Sequence, residues 1–298
     1  MSHVIRADLA PSTDPFADPT ADAAERVAAP LDKPARAKRT AANRLAAQPF
    51  PPLALIPPWA RASGRAGEGD PLLAAGAGLA LLDSFLRRDP PFAGALRQRL
   101  ALISAGARTK ILRLNADEGA LRDLRFAVTG EPPPAAKLLR LWRELAARPP
   151  GLDPGRLDAA ATVLDLPTPN ADALVESSRE QSRAGDPVSA AAEVAAAAFS
   201  AFPDAPIAEA EILALGTFDL VLAIRLRWPR PVPLIATRIL DLSIRSDGGG
   251  RARPGDPAWP KSAAAALALA AVSALDLAAD LFRRSEILLA VAPKLRGW

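Results

Sequence analysis

PAWPKSAAAALALAAVSALDLAADLFRRSEILLAVA, residues 257–292, is the stretch whose reading decides the fold. At 100° per residue its polar side chains collect on one narrow stripe: Ser273, Asp276, Asp280, Arg283 and Arg284. Val272, Leu275, Leu281, Phe282, Leu288 and Leu289 occupy most of the remaining circumference. A surface helix carries charge over about half its girth. This pattern instead predicts a long C-terminal central helix wrapped by others, and therefore an all-α, multi-helix bundle.

Working outward, the stretch opens on Gly255-Asp256-Pro257, a triplet that recurs at residues 69–71 and 185–187, each time before an Ala-rich run. Asp caps a helix by accepting a first-turn amide, and Pro suits the first helical position because its missing N–H has no helical partner there. The expected helices span Pro71–Arg88 (Leu72, Leu79, Leu82 and Phe85 inward), Pro90–Leu114, Asp117–Val128 and Pro132 to about Leu145. Two short ones follow in 154–184, and then Pro187–Phe202, Pro206–Trp228 and Pro231–Ile244. No run alternates with period two, and Val and Ile are sparse, so strands are not expected. The segments after Asp70 and Asp186 share an order of Ala-rich helix, Pro break and Leu-rich helix. That order is compatible with two related helical halves.

Composition narrows the chemistry. The 298 residues include no Cys and one His, with Arg making up 31 of the 37 basic side chains and Pro numbering 31. Arg-, Ala- and Pro-rich usage points to a GC-rich bacterial genome. Without Cys there are no disulfides, no thiolate chemistry and no Cys-ligated metal. His3 sits at the terminus, which argues against a histidine-based triad or base in the folded body. No apolar leader follows Met1, and Ala263–Leu275 is short for a membrane span before Asp276 interrupts it. The expectation is a cytoplasmic protein without membrane association.

Charge is distributed unevenly. Residues 1–32 hold six acids against Arg6 and Arg26, and residues 33–67 hold seven basic side chains and no acid. With a total of +4, the rest of the chain sums to +1. Ten prolines and few large apolar residues in 1–70 predict a disordered Pro-rich arm over 1–68, acidic then basic, before a single all-helical domain over 69–298. Within the arm, short helices near 21–28 and 35–47 and an apolar patch at Phe50, Leu53, Leu55, Ile56 and Trp59 are expected.

LALLDSFLRR, PPFAGALRQRLAL, DEGALRDL, RLRWPRPVPL, GDPAWP and DLAADLFRRSEILLAVAPKLR, taken together, resemble an uncharacterised bacterial family, domain of unknown function 1403. The resemblance extends from about Gly69 to the C-terminus. It implies a bacterial cytoplasmic protein often carried on accessory replicons, with no activity, cofactor or catalytic residue to transfer.

Several constellations could carry function. Asp83, Asp219, Asp276 and Asp280 sit inside apolar helices, where an unpaired carboxylate costs several kcal/mol. They could line a polar, metal-binding pocket, but the doubled Asp-Asp-x-x-Asp density of magnesium–diphosphate enzymes is missing, and ion pairs with arginines such as Arg284 account for them more simply. Residues 156–176 have the outline of a helix-turn-helix, with Asp165 where a turn glycine would stand and Arg179 and Arg183 for contact. A helical hairpin of the core explains the same residues. The Gly248–Gly250 loop, with Arg251 and Arg253, lacks the Lys-Ser/Thr of a phosphate loop and reads as a surface linker. Trp228 could face a ligand or close a helix end. Lys33, Arg36, Lys38, Arg39 and Arg44, with Phe50 and Trp59 nearby, could contact nucleic acid weakly.

The expectation from sequence is a non-enzymatic interaction or scaffold protein with a protein partner and no cofactor. The alternatives are a nucleic-acid-binding accessory protein acting through the basic arm and a helical-bundle enzyme with an Asp-lined pocket.

Overall fold

In the computed structural model the described residues are 57, 69–124, 132–167, 171–181, 183, 185–241 and 250–295. Residues 1–56 and 58–68 lie outside them, and with them the expected arm, its two short helices, the apolar patch and the basic residues Lys33 to Arg44. The chain divides into Met1–Pro49 and Phe50–Trp298, and every described residue belongs to the second unit.

Ten helices make up the described fold, and no strand occurs among the described residues. In chain order they are α1 (Pro71–Arg87), α2 (Ala93–Ile111), α3 (Glu118–Asp123), α4 (Pro134–Ala147) and α5 (Pro154–Val163). The order continues with α6 (Ala171–Gln181), α7 (Pro187–Ser200), α8 (Ile207–Arg225), α9 (Ile235–Arg238) and α10 (Trp259–Leu295).

Their ends follow from local chemistry. Asp70 and Asp186 cap α1 and α7 as expected, accepting from Leu72 N at 2.9 Å and from Val188 N and Ser189 N at 2.9 and 3.0 Å. Asp117 and Asp153 cap α3 and α5 in the same way. The third triplet works differently. Asp256 accepts from Arg253 N at 2.7 Å, closing the preceding turn, and α10 starts three residues later at Trp259. What the three triplets share is the glycine, with φ of +91°, +62° and +95° at Gly69, Gly185 and Gly255. Those left-handed values are open to Gly without a Cβ penalty. Four helix ends use the left-handed region without glycine, at Asp89, Arg113, Asp165 and Arg227. After α2, α5 and α8 the next amide reaches back five residues, as in Leu114 N to Thr109 O at 2.8 Å, which satisfies an end carbonyl.

Helices α7 and α8 form an antiparallel hairpin, with Arg225 Nη2 donating to Gly185 O at 2.6 Å across its open end. Helix α10 packs along α1 and also touches α2, α7 and α9, while α2 lies against α4. The α1–α2 and α7–α8 segments therefore pack differently, and the repeated sequence order does not produce a repeated packing unit.

The most completely wrapped helix is α8, in which every residue from Ala210 to Ala223 except Gly216 is buried. Helix α10 is central over its first half only. Ala263, Leu267, Ala270, Ala274 and Ala278 are almost fully enclosed, and Trp259 packs edge-on to Phe218 while donating Nε1 to Ala192 O at 2.9 Å. Small alanines let neighbouring backbones approach closely here. The Phe282 ring meets that of Phe92 at a tilt, centroids 6.3 Å apart, and beyond it the helix leaves the core. Leu288, expected inward, is 69 % exposed beside Ile287 at 63 %. Leu72 is likewise exposed rather than inward, at the first turn of α1.

Trp259–Leu288 is long and apolar enough to cross a membrane by length and composition, but its first half is built into this core. The expected helix at Pro231–Ile244 is one turn, α9, preceded by buried, non-helical Val232, Pro233 and Leu234. Helix α3 ends at Asp123, with 125–131 outside the described residues.

Candidate functional site

The four helix-embedded acids do not converge. Asp83, on α1, accepts from Arg87 Nε at 2.7 Å and from the indole Nε1 of Trp228 at 2.8 Å. Arg87 continues to the Leu226 carbonyl at 3.1 Å, so this group fastens α1 to the end of α8. Trp228 is buried and closes that helix end. Asp280 pairs within its own helix with Arg284 at 2.8 Å and Arg283 at 3.7 Å. Asp276 is exposed.

Asp219 is the exception in burial. It is fully enclosed, and its two oxygens accept from Leu234 N at 3.0 Å and Ile235 N at 3.2 Å, capping the single turn of α9 from another helix. That cross-helix cap explains why the chain bends into an extended entry at 232–234 instead of running on as a long helix. Burial pushes the Asp219 carboxyl up to about 8, against the opposite pull of the two amides and of Arg108.

Arg108 leads to a second cluster that the sequence reading passed over. It is wholly buried on α2, donates Nη2 to Ala236 O at 3.1 Å and lies 3.8 Å from Glu211 Oε1. Glu211, 1 % exposed on α8, is gripped by both guanidinium nitrogens of Arg251, the second at 2.7 Å, and approached by Arg253 at 3.9 Å. The described end of the loop expected to be a surface linker is therefore tied to the core through Arg251, with Arg253 close by. Burial draws Arg108 down to about 9, with Arg251 adding to the fall and Asp219 opposing it. Arg108 keeps Nε and Nη1 without a hydrogen-bond partner, so three guanidinium groups share one buried carboxylate with incomplete satisfaction. A signal existed: Glu211 interrupts an apolar run just as Asp219 does, and the same cost of burial applied to it. Among the described residues no group of three or more His, Asp or Glu side chains could hold a metal ion.

The helical pair α5–α6 has its left-handed turn at Asp165, φ +53°, the position of the turn glycine in a helix-turn-helix. Residues 168–170 lie outside the described set. Arg179, a proposed contact residue, instead donates to Leu152 O at 3.2 Å and pairs with Glu176 at 3.4 Å.

Helix α5 also forms one side of an open apolar cleft of about 300 Å³, whose other sides are α4 and α8. Leu141, Leu145, Leu157 and Ile212 line it, with Arg140, Arg148 and Arg156 among its polar residues. A second hollow, about 320 Å³, lies between α1 and the start of α7 and includes Asp83 and Asp186, both already engaged as described.

A family model for proteins of unknown function, DUF1403, matches residues 45–298. The chain belongs to the DUF1403 family. The match takes in every described residue, including the Glu211 cluster and the cleft, and begins 24 residues upstream of Gly69. It thus extends into the stretch assigned from sequence to the arm, and covers the DUF1403 chain's Phe50–Trp59 patch. No curated protein and no solved structure matches this DUF1403 member.

Proposed function

We propose that this is a non-enzymatic, all-helical interaction protein of the bacterial cytoplasm, and that the far end of α10 is its partner surface. The observation that supports this reading is the exit of α10 from the core. Ile287 and Leu288 stand in solvent at 63 % and 69 % on a continuous helix, next to exposed Arg283, Arg284 and Glu286. Large apolar side chains beside charged ones are the makings of an interface core with a polar rim. The helix-embedded acids are consistent with it, since Asp83 and Asp219 are engaged in holding helices together and Asp280 is paired along its own helix.

The test is retention of a protein from the source bacterium on immobilised full-length chain. Wild type should hold a stoichiometric partner that Ile287→Asp/Leu288→Asp releases, while the two chains melt alike. Equal retention by the variant would remove α10 from the interface and the reading with it.

A second reading rests on the charge run at 33–67, seven basic side chains with no acid. It gives weak, sequence-independent binding to DNA by phosphate neutralisation, with log K falling with log salt at about −0.9 per contact. Fluorescence anisotropy on a random duplex at two salt concentrations, with and without residues 1–67, tests it. Binding that survives the deletion would exclude the arm.

A further inference from the structure

The cleft between α4, α5 and α8 is kept open by an absence in the helix that forms its floor. Gly216 stands near the middle of α8, and a Cβ added there would meet nothing within 4 Å. Glycine inside a helix is less stable than alanine by roughly 0.5–1 kcal/mol, and here no close neighbour requires it. Its side of α8 therefore faces space rather than another helix, in the most enclosed helix of the fold. At about 300 Å³ the opening reaches the size at which proteins hold small organic molecules.

Its polar chemistry leans to one sign. Trp142 is 1 % exposed, lines the cleft, and its indole N–H has no acceptor. Buried indoles ordinarily find one. Thr217 donates its hydroxyl proton to Leu213 O at 2.9 Å. Arg140, Arg148 and Arg156 contribute three guanidinium groups against two carboxylates, Glu144 and Asp153. Glu144 is shared by Arg140 at 2.7 Å and Arg148 at 3.8 Å, and Asp153 pairs with Arg156 at 3.2 Å. The side chains of Arg140 and Arg148 are 72 % and 59 % exposed. Exposed pairs of this kind exchange partners at little cost, so an incoming anion can take a guanidinium from Glu144. Apart from the Thr217 and Glu144 oxygens, the unspent side-chain capacity at the cleft is donor, and its charge is net positive.

We propose that this cleft binds an amphipathic monoanion: a single apolar chain or ring system lying against Leu141, Leu157 and Ile212, with a carboxylate-type head held by Arg140 and Arg148. A neutral amphiphile of the same chain satisfies the walls but leaves the guanidinium groups as they were. A cationic one meets like charge. The proposal does not depend on what the end of α10 binds.

The experiment is isothermal titration of the full chain with octanoate, and with octan-1-ol and octylamine as matched neutral and cationic chains. Octanoate should bind saturably, one per chain, about tenfold or more tighter than octan-1-ol, which corresponds to one guanidinium–carboxylate contact. Gly216→Leu places a side chain in the cleft and should weaken octanoate about tenfold or more. Arg140→Glu/Arg148→Glu alters exposed side chains that the core does not need. It should remove the preference for octanoate while leaving octan-1-ol unchanged, so the site is tested even if Gly216→Leu folds poorly. Absence of saturable binding, equal affinity for acid and alcohol, or full octanoate binding by a natively folded Gly216→Leu would each overturn the proposal.

Discussion

Replacing Glu211 with alanine should be among the most damaging single changes in the molecule. The carboxylate is 1 % exposed, and removing it withdraws the two-pronged partner of Arg251 and the nearest acid contact of Arg108. Arg108 is then left in a fully enclosed site with the Ala236 carbonyl at 3.1 Å as its remaining hydrogen bond. Breaking a buried pair from one side typically costs about 3–5 kcal/mol, because the surviving charge stays in the interior. Arg251, whose side chain is 22 % exposed, can turn partly to water, which places the expected loss at about 3–4 kcal/mol. For a body of this size that is a fall in Tm of roughly 6–16 °C. Urea unfolding followed by far-UV circular dichroism measures it. The double variant Arg108→Met/Glu211→Leu removes the orphaned charge along with its partner, and should cost less than the sum of the singles by about 1–3 kcal/mol. A loss below about 1 kcal/mol for Glu211→Ala, or strict additivity in the double variant, would refute the cluster as a buried, coupled unit.

Other expectations follow from burial and charge. Leu275→Asp puts a charge at a position 6 % exposed and should unfold the body, whereas Leu288→Asp, at 69 %, should stay within about 0.5 kcal/mol of wild type in the same melts. Gly216→Ala should raise stability by about 0.5–1 kcal/mol, since its methyl group meets nothing and the unfolded chain loses freedom; a loss in urea unfolding would contradict the open cleft. Asp219 holds its proton in the folded state to about pH 8, while an unfolded Asp releases it near 3.8. Its contribution is thus fully present below that lower value and lost as pH rises to about 8, so Asp219→Asn should flatten the pH dependence of stability across that window.

Helix boundaries were legible at most of the places where a local rule sets them. Asp70 and Asp186 cap as an Asp before Pro should, whereas Asp256 turns back to Arg253 N and its helix starts at Trp259. Two larger failures share one physical origin, a partner distant along the chain. Pro231–Ile244 reads as helix until Asp219, fifteen or sixteen residues upstream, is known to hold the amides of Leu234 and Ile235. Glu211 meets Arg108 and Arg251 across long stretches of sequence, and nothing local to any of the three announces the others. The acids singled out from sequence were rightly seen as needing a reason to be there, but the reason differed at each one. Asp83 clamps a helix end, Asp219 caps a turn, Asp280 pairs along its own helix, and Asp276 faces water. Gly216 carried no sequence signal at all, because a glycine in an apolar helix looks the same whether it faces a neighbour or a void.

The 37 residues of α10 amount to a rod about 55 Å long at 1.5 Å per residue. One end is rooted between α1, α2, α7 and α9, and the other runs on past Phe282. Such a rod works as a lever. A load applied near Leu288 acts with a moment on the root, where Trp259 is bolted to Ala192 and Phe218, and where the chain arrives directly from the turn at Arg251–Asp256. That turn is the one pinned to Glu211. Anything that pulls or tilts the outer end is met first where Phe282 rests against Phe92, and what passes that contact runs down the same helix to a root that one short turn joins to the buried charge cluster.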